Sequence, residues 1–528
     1  MPTPAAPTNV VKRRKLPIGI QTFREIREDN CYYVDKTGMA VDLVEQGKFY
    51  FLSRPRRFGK SLFLDTLKDL FEGHQDLFSG LAAETRWDWT VRYPVIRLSF
   101  GAGVVHTHEA LEQSMHQQLT HHETHFKLPA VFPDLRSRLV DLIARLHAQA
   151  GQRVVVLVDE YDKPILDNIT DSAAATVMRD GLRNLYSVIK DSDAHLKFAM
   201  LTGVSKFSKV SLFSGLNNLK DITMDARYSA LCGYTDADVD TVFAPELAGL
   251  DREEIKRWYN GYNWTGESVY NPFDLLLLFD SHEFRPYWFE TGTPDFLIQL
   301  LTQRHTYTPD LAHMVALETL LSSFDVDAIP TEALMFQAGY LTVNSVRRIP
   351  GMMQITLKYP NLEVRSSLNG ALLQGLTGDP VRHGILAPRL YDLLLANDFA
   401  GMQTLFTAFF ESIPFEWFTN NPIAQYEGYY ASVFYSYFAA LGLDVETERS
   451  SNAGRLDMRV LFNQTVYLFE FKVVELTSDG RALQQIKDQG YAKPYLALGQ
   501  PIHQIGVEFS KASRSVVGFE VETVQPSY

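Results

Sequence analysis

The chain has 528 residues, 46% of them hydrophobic and 12% aromatic, and a formal net charge of -13 at pH 7. That length suits roughly two to four domains with sizeable cores, and the acid excess excludes a surface coated in basic groups, so nucleic-acid contact is expected only in a local groove. Two cysteines, Cys31 and Cys232, make no disulfide framework and suit a reducing cytoplasm; no apolar run reaches bilayer-spanning length, and the first residues lack the apolar core of a secretion signal.

Residues 1–15 read as a disordered basic tail. Met1 to Val11 is rich in Pro, Ala and Thr, and Lys12-Arg13-Arg14-Lys15 is expected to be solvated rather than bound to nucleic acid. Folded texture begins at Leu16, and Tyr33-Val34-Asp35-Lys36-Thr37 precedes a helical stretch running to Gln46. The apolar run Phe49-Tyr50-Phe51-Leu52 leads into Ser53-Arg54-Pro55-Arg56-Arg57-Phe58-Gly59-Lys60-Ser61, after which Leu62 to Phe71 has helical spacing. Strand, tight loop and Gly-Lys-Ser at a helix start is the layout of a phosphate-binding loop. Backbone N–H groups at Gly59 to Leu62 would point at an anion. Lys60 would neutralise the β- and γ-phosphates of ATP, and the Ser61 hydroxyl would ligate Mg²⁺. Arg56 and Arg57 either help bind the triphosphate or pair with neighbouring acids. Arg54 stands where the first glycine of G-x-x-x-x-G-K-S would fall, and Pro55 stiffens the loop. Gly-Lys-Ser alone also fits an ordinary helix cap.

Ile96 to Phe100 is an expected strand and His108 to Phe126 an expected helix. His121 and His125, four apart with His122 and Glu123 between them, could face one metal, but a solvated, glutamine-rich helix face is the better reading. Val154 to Val158 is a continuous apolar run, as a buried parallel strand requires, and it ends in Asp159-Glu160. Asp159 can hold Mg²⁺ and Glu160 can polarise an attacking water. A helix is expected from Asp171 to Asp191, carrying Arg179 and Arg183, and a strand from Phe198 to Thr202. Thr202 is a candidate sensor of the γ-phosphate, or a turn cap. Arg179, Arg183 and Arg227 could each act as an arginine finger. Strands alternating with helices imply a doubly wound α/β domain over residues 16–227, with nucleotide at the strands' carboxyl ends.

After Arg227 the texture turns helical, punctuated by Trp258-Tyr259-Asn260-Gly261-Tyr262-Asn263-Trp264 and Asn271-Pro272-Phe273-Asp274. These aromatics are expected in core packing rather than base stacking. Residues 228–410 read as a helical lid and winged-helix-like connector, with short helices from about Tyr359 to Phe410.

Residues 411–528 hold a second constellation. Glu427 to Tyr435 starts a helix, and Gly454 to Val460 and Val466 to Val473 read as a hairpin turning near Asn463-Gln464. Glu470 and Lys472, two apart, face one side of their strand, and Asp457 can meet them across the hairpin. Asp457 and Glu470 can bind Mg²⁺ for phosphodiester cleavage, and Lys472 can orient water or stabilise developing charge. Glu427 can add a ligand. The same residues could instead be a self-paired acid–lysine cluster on a solvent face.

Tyr33 to Thr37, Arg54 to Leu62, Val158-Asp159-Glu160-Tyr161-Asp162-Lys163-Pro164 and Leu201 to Phe207 resemble the bacterial AAA-ATPase-like proteins that carry a C-terminal PD-(D/E)XK nuclease domain. Tyr287 to Gly292 and Gly339 to Val343 fit the same resemblance, which runs from about Leu16 to the C-terminus. It implies an α/β P-loop NTPase followed by a restriction-endonuclease-like α/β domain. Gln485 resembles that family's last motif, with Lys487 and Tyr491 as weaker candidates. The implied function is ATP binding and hydrolysis coupled to Mg²⁺-dependent cleavage of nucleic acid, DNA before RNA. No membrane partner is expected, a homo-oligomer is possible, and the setting is cytoplasmic. The alternatives are a nucleotide-controlled switch or scaffold that does not cut, and an ATPase whose second cluster serves only the fold.

Overall fold

The computed structural model describes residues 13–206, 219–291, 295–304, 306–322, 330–377, 380–411, 427–451 and 454–525. The chain divides into two compact units, Met1–Trp288 with Val315–Asn361, and Phe289–Met314 with Leu362–Tyr528. No described helix is long and apolar enough to cross a membrane.

The first unit is built on a parallel sheet of β1 (Phe49–Ser53), β2 (Val95–Ser99), β3 (Val154–Asp159), β4 (Leu196–Gly203) and the short β5 (Lys220–Asp221), in the order β2-β3-β4-β1-β5. Every residue of β1 and β3 is buried, as runs of Val, Leu and Phe covered on both faces must be. Helix α1 (Lys60–Glu72) packs on β2 and β3. Helices α2 (His108–His125), α3 (Leu135–Ala150) and α4 (Ser172–Asp191) pack on one another, and their apolar stripes join the sheet in one core. Asp171 caps α4, accepting the amides of Ala173 and Ala174, which explains its start. Register pairs Ser53 with Gly203 and Ser99 with Asp159, so all the strands that matter end together.

In the same unit, Tyr259, Tyr262 and Trp264 are buried, so the aromatic segment packs the interior as its composition suggested. An antiparallel sheet of β6 (Val315–Leu317), β7 (Thr342–Ile349) and β8 (Met352–Lys358), in the order β6-β8-β7, interrupts the helical middle. On α2, His121 and His125 are exposed, but Glu123 is buried and paired with Arg138 at 2.5 Å. The helix face is thus solvated at two of its histidines and not at Glu123, because α3 covers that position.

In the second unit the helices Leu362–Thr377, Pro380–Ala396 and Phe399–Glu411 run 16, 17 and 13 residues, longer than the short pieces expected there. Helix α5 (Glu427–Ala440) is apolar nearly all round, and Val433, Phe434, Tyr437 and Phe438 are fully buried. It packs on a mixed sheet of β9 (Asp444–Ser451), β10 (Gly454–Phe462), β11 (Thr465–Val474), β12 (Ile502–Ser510) and β13 (Val516–Val524), in the order β13-β12-β11-β10-β9. β10 and β11 form the expected hairpin, and Asn463 and Gln464 turn it with φ of 47° and 56°. β11 and β12 are parallel, joined through α6 (Arg481–Gln489).

Two candidate active sites

At the first site the loop from Ser53 enters α1 through Gly59, whose φ is 89° and above which a side chain would meet open space. The Lys60 ammonium is buried and donates to the carbonyls of Arg54 at 2.9 Å and Pro55 at 2.8 Å. Burial pulls its pKa down, against the opposing fields of Asp159 and Glu160. Arg56 and Arg57 are exposed, and Arg57 lies over the Phe273 ring. Ser61 is half-buried at the first turn of the helix, and Leu62 follows it.

Arg54 takes no part in this outward-facing set. It is fully buried, donates to the carbonyls of Ser53, Thr223 and Tyr228 at 2.8–3.0 Å, and stacks on Trp264 at 4.0 Å. The side chain in place of a glycine therefore ties the loop to the following segments. Burial brings its guanidinium pKa down to about 10. Phe58 adds edge contacts to Tyr262 and Trp264, and the Trp288 indole donates to the Arg56 carbonyl at 3.1 Å.

Asp159 is buried at the end of β3. Its Oδ1 accepts the Thr202 hydroxyl at 2.9 Å and its Oδ2 lies 3.5 Å from Arg97. β4 lies between β1 and β3, so Thr202 stands between the phosphate loop and Asp159. Glu160 adopts a left-handed φ of 50° and its carboxylate lies over Gly101. Arg227 is exposed and chelated by Asp225, Arg179 sits 3.1 Å from Asp180, and Arg183 is exposed.

Two residues to which the sequence assigned no role belong here. Arg97 joins Asp65 at 2.6 Å to the Ser61 carbonyl at 3.4 Å and to Asp159. Asp162 is buried and accepts the amides of Val204 and Ser205, anchoring the loop after β4; burial pushes its carboxyl up to about 6. Both lie in stretches already singled out, but no spacing rule marks either one.

At the second site the Asp457 carboxylate accepts the Phe471 amide across the hairpin at 2.8 Å. Glu470 is fully buried; its Oε1 lies 3.3 Å from the Lys472 ammonium and accepts the Gln485 amide. Tyr491, also buried, feels the charges of Glu470, Asp457 and Lys472 and hydrogen-bonds Gln485; burial first and then Glu470 push its hydroxyl pKa up. Asp457, Glu470, Lys472, Gln485 and Tyr491 therefore share one side of the sheet. Lys487 does not join them: it pairs with Glu522 at 2.7 Å. Glu427 opens α5, and its side chain lies outside the described residues.

Comparison with known proteins follows the same division. A family model described as Predicted AAA-ATPase matches residues 17–213, and one described as PD-(D/E)XK nuclease superfamily matches residues 425–519. An "Uncharacterized protein in vnfD 5'region" of Azotobacter chroococcum mcd 1 is 65% identical over 515 residues, covering 97% of this chain and 100% of the relative. No solved structure matches the chain.

Proposed function

The chain belongs to the AAA-ATPase-like family with a C-terminal PD-(D/E)XK nuclease-superfamily domain, and on that premise we propose that it is an ATP-binding and ATP-hydrolysing protein whose nucleotide state controls metal-dependent cleavage of nucleic acid, with DNA as the substrate. The observation that carries the cleavage half is the gathering of Asp457, Glu470, Lys472, Gln485 and Tyr491 on one sheet face.

Asp457 and Glu470 offer hard oxygen donors beside a lysine, a set that suits Mg²⁺, and they would hold the ion. When bound it would supply an acidified water and neutralise phosphate charge. Gln485 fixes the Glu470 carboxylate, and the Lys472 ammonium beside it would stabilise the charge that develops on a phosphate oxygen. In the first unit Lys60 and the start of α1 are suited to a triphosphate, Ser61 and Asp159 to its Mg²⁺, and Glu160 to an attacking water. Thr202 orients Asp159. Arg56 and Arg57, both exposed, would reach phosphate oxygens from the solvent side, Arg57 by leaving the Phe273 ring.

One feature favours a second reading, an ATPase whose second cluster serves only the fold. Glu470 is fully buried and already faces Lys472 and Gln485, as a cluster that serves the fold would be. Cleavage of single- and double-stranded substrates with Mg²⁺ or Mn²⁺ decides between them. The proposed function requires that Asp457→Ala abolish cleavage and leave ATP binding intact. A purified parent that cuts nothing, or a variant that cuts as well as the parent, would contradict it.

A further inference from the structure

We propose that Glu508 is a positioning residue for the C-terminal site, fixing the start of α6 so that Gln485 meets Glu470. The inference rests on the reading of Asp457 and Glu470 as metal-binding carboxylates. Register on the neighbouring parallel strand places Gly506 beside Glu470 and Glu508 beside Lys472. All four therefore share one face of the sheet.

Glu508 is 2% exposed. Its Oε2 accepts the Ser478 hydroxyl at 2.8 Å and the amides of Asp479 and Gly480 at 2.8 and 3.3 Å; its Oε1 accepts the Ala482 amide at 3.0 Å. Burial pushes this carboxyl up, but the donors outweigh it and hold it below the usual range. The carboxylate also meets the positive end of the helix. With both oxygens engaged by the loop and the helix start, Glu508 works as a scaffold and not as a further metal ligand.

Two glycines permit the close approach. A Cβ at Gly506 would lie 2.3 Å from the Leu483 nitrogen, and one at Gly518 would lie 2.5 Å from the Ser478 hydroxyl. Neither could carry a side chain without lifting α6 or its preceding loop. Gln485 follows Ala482 by three residues, on the same helix face. Glu508 thus holds one turn of α6 through Ala482, and Gln485 on the same helix holds Glu470.

The test is calorimetric titration of the full chain with Mn²⁺ alone, without nucleotide, with Asp457→Ala defining the C-terminal component. Glu508→Gln, Gln485→Ala and their double variant are compared after thermal melting confirms each fold. Glu508→Gln and Gln485→Ala should each weaken Mn²⁺ binding roughly 10-fold. The double variant should be no weaker than Gln485→Ala, because one acts through the other. Gly506→Ala, which moves the helix by bulk instead of charge, should reproduce the loss and carries the comparison if Glu508→Gln does not fold. Losses that multiply in the double variant, or Mn²⁺ binding by Glu508→Gln equal to the parent's, would overturn the proposal. If Asp457→Ala leaves Mn²⁺ binding unchanged, the metal-site reading itself fails, and this proposal with it.

Discussion

The Thr202 hydroxyl donates to Oδ1 of Asp159 at 2.9 Å, and both side chains are buried at the carboxyl end of the parallel sheet. A hydroxyl on the strand beside the phosphate loop thus sets the orientation of the acid that would face the nucleotide's metal. Thr202→Val keeps the shape and removes the donor. A buried hydrogen bond to a charged group is worth about 1.5–3 kcal/mol, so ATP turnover should fall roughly 10- to 100-fold. ATP affinity should change much less, and Thr202→Ser should restore turnover. Phosphate release and nucleotide titration on the three proteins check this, and equal turnover in Thr202→Val would remove Thr202 from the mechanism.

Arg54 and its neighbours in the loop should separate cleanly by mutation. Arg54→Ala removes the hydrogen bonds given to three carbonyls and empties the space against Trp264, so it should cost roughly 3 kcal/mol or more of stability. Arg54→Lys should not rescue it, because one ammonium cannot reproduce the planar fork. Arg56→Ala and Arg57→Ala, at exposed positions, should leave the melting temperature nearly unchanged and weaken ATP binding. Thermal melts paired with ATP titrations distinguish the two classes. A stable Arg54→Ala protein would contradict the structural role.

Asp162 makes stability depend on pH in a stated direction. Burial raises its carboxyl from 3.8 to about 6, although the amides of Ser205 and Val204 and the charge of Lys60 pull the other way. The folded state then keeps a proton that the unfolded chain has lost. This contribution is fully present below the unfolded value and disappears as pH rises through the folded one. Relative to Asp162→Asn, the parent should lose roughly 3 kcal/mol of stability between about pH 4 and pH 7. Urea unfolding of both proteins across that range measures it, and a parent–variant difference that stays flat would put Asp162 at its ordinary pKa.

Much of this was legible in the sequence because local chemistry dictated it. The apolar run Val154 to Val158 had to be a buried strand, and it delivers Asp159 to the sheet's end. Asn463 tolerates positive φ, so the hairpin that opposes Asp457 to β11 turned where expected. What could not be read depends on partners distant in the chain. Arg54 is a missing glycine until Thr223, Tyr228 and Trp264 surround it. Glu508 is one more strand acid until the loop from Ser478 to Ala482 folds over it. Glu123 belonged to a polar helix face until α3 brought Arg138 against it.

On the proposed function, nucleotide held at Lys60 governs chemistry at Asp457. That control is tested most directly by following Mg²⁺-dependent cleavage of double-stranded DNA with and without ATP, in the parent and in Lys60→Ala. The parent's cleavage rate should change several-fold on adding ATP, and the Lys60→Ala rate should not respond to ATP at all. A cleavage rate in the parent that is the same with and without saturating ATP would contradict the account.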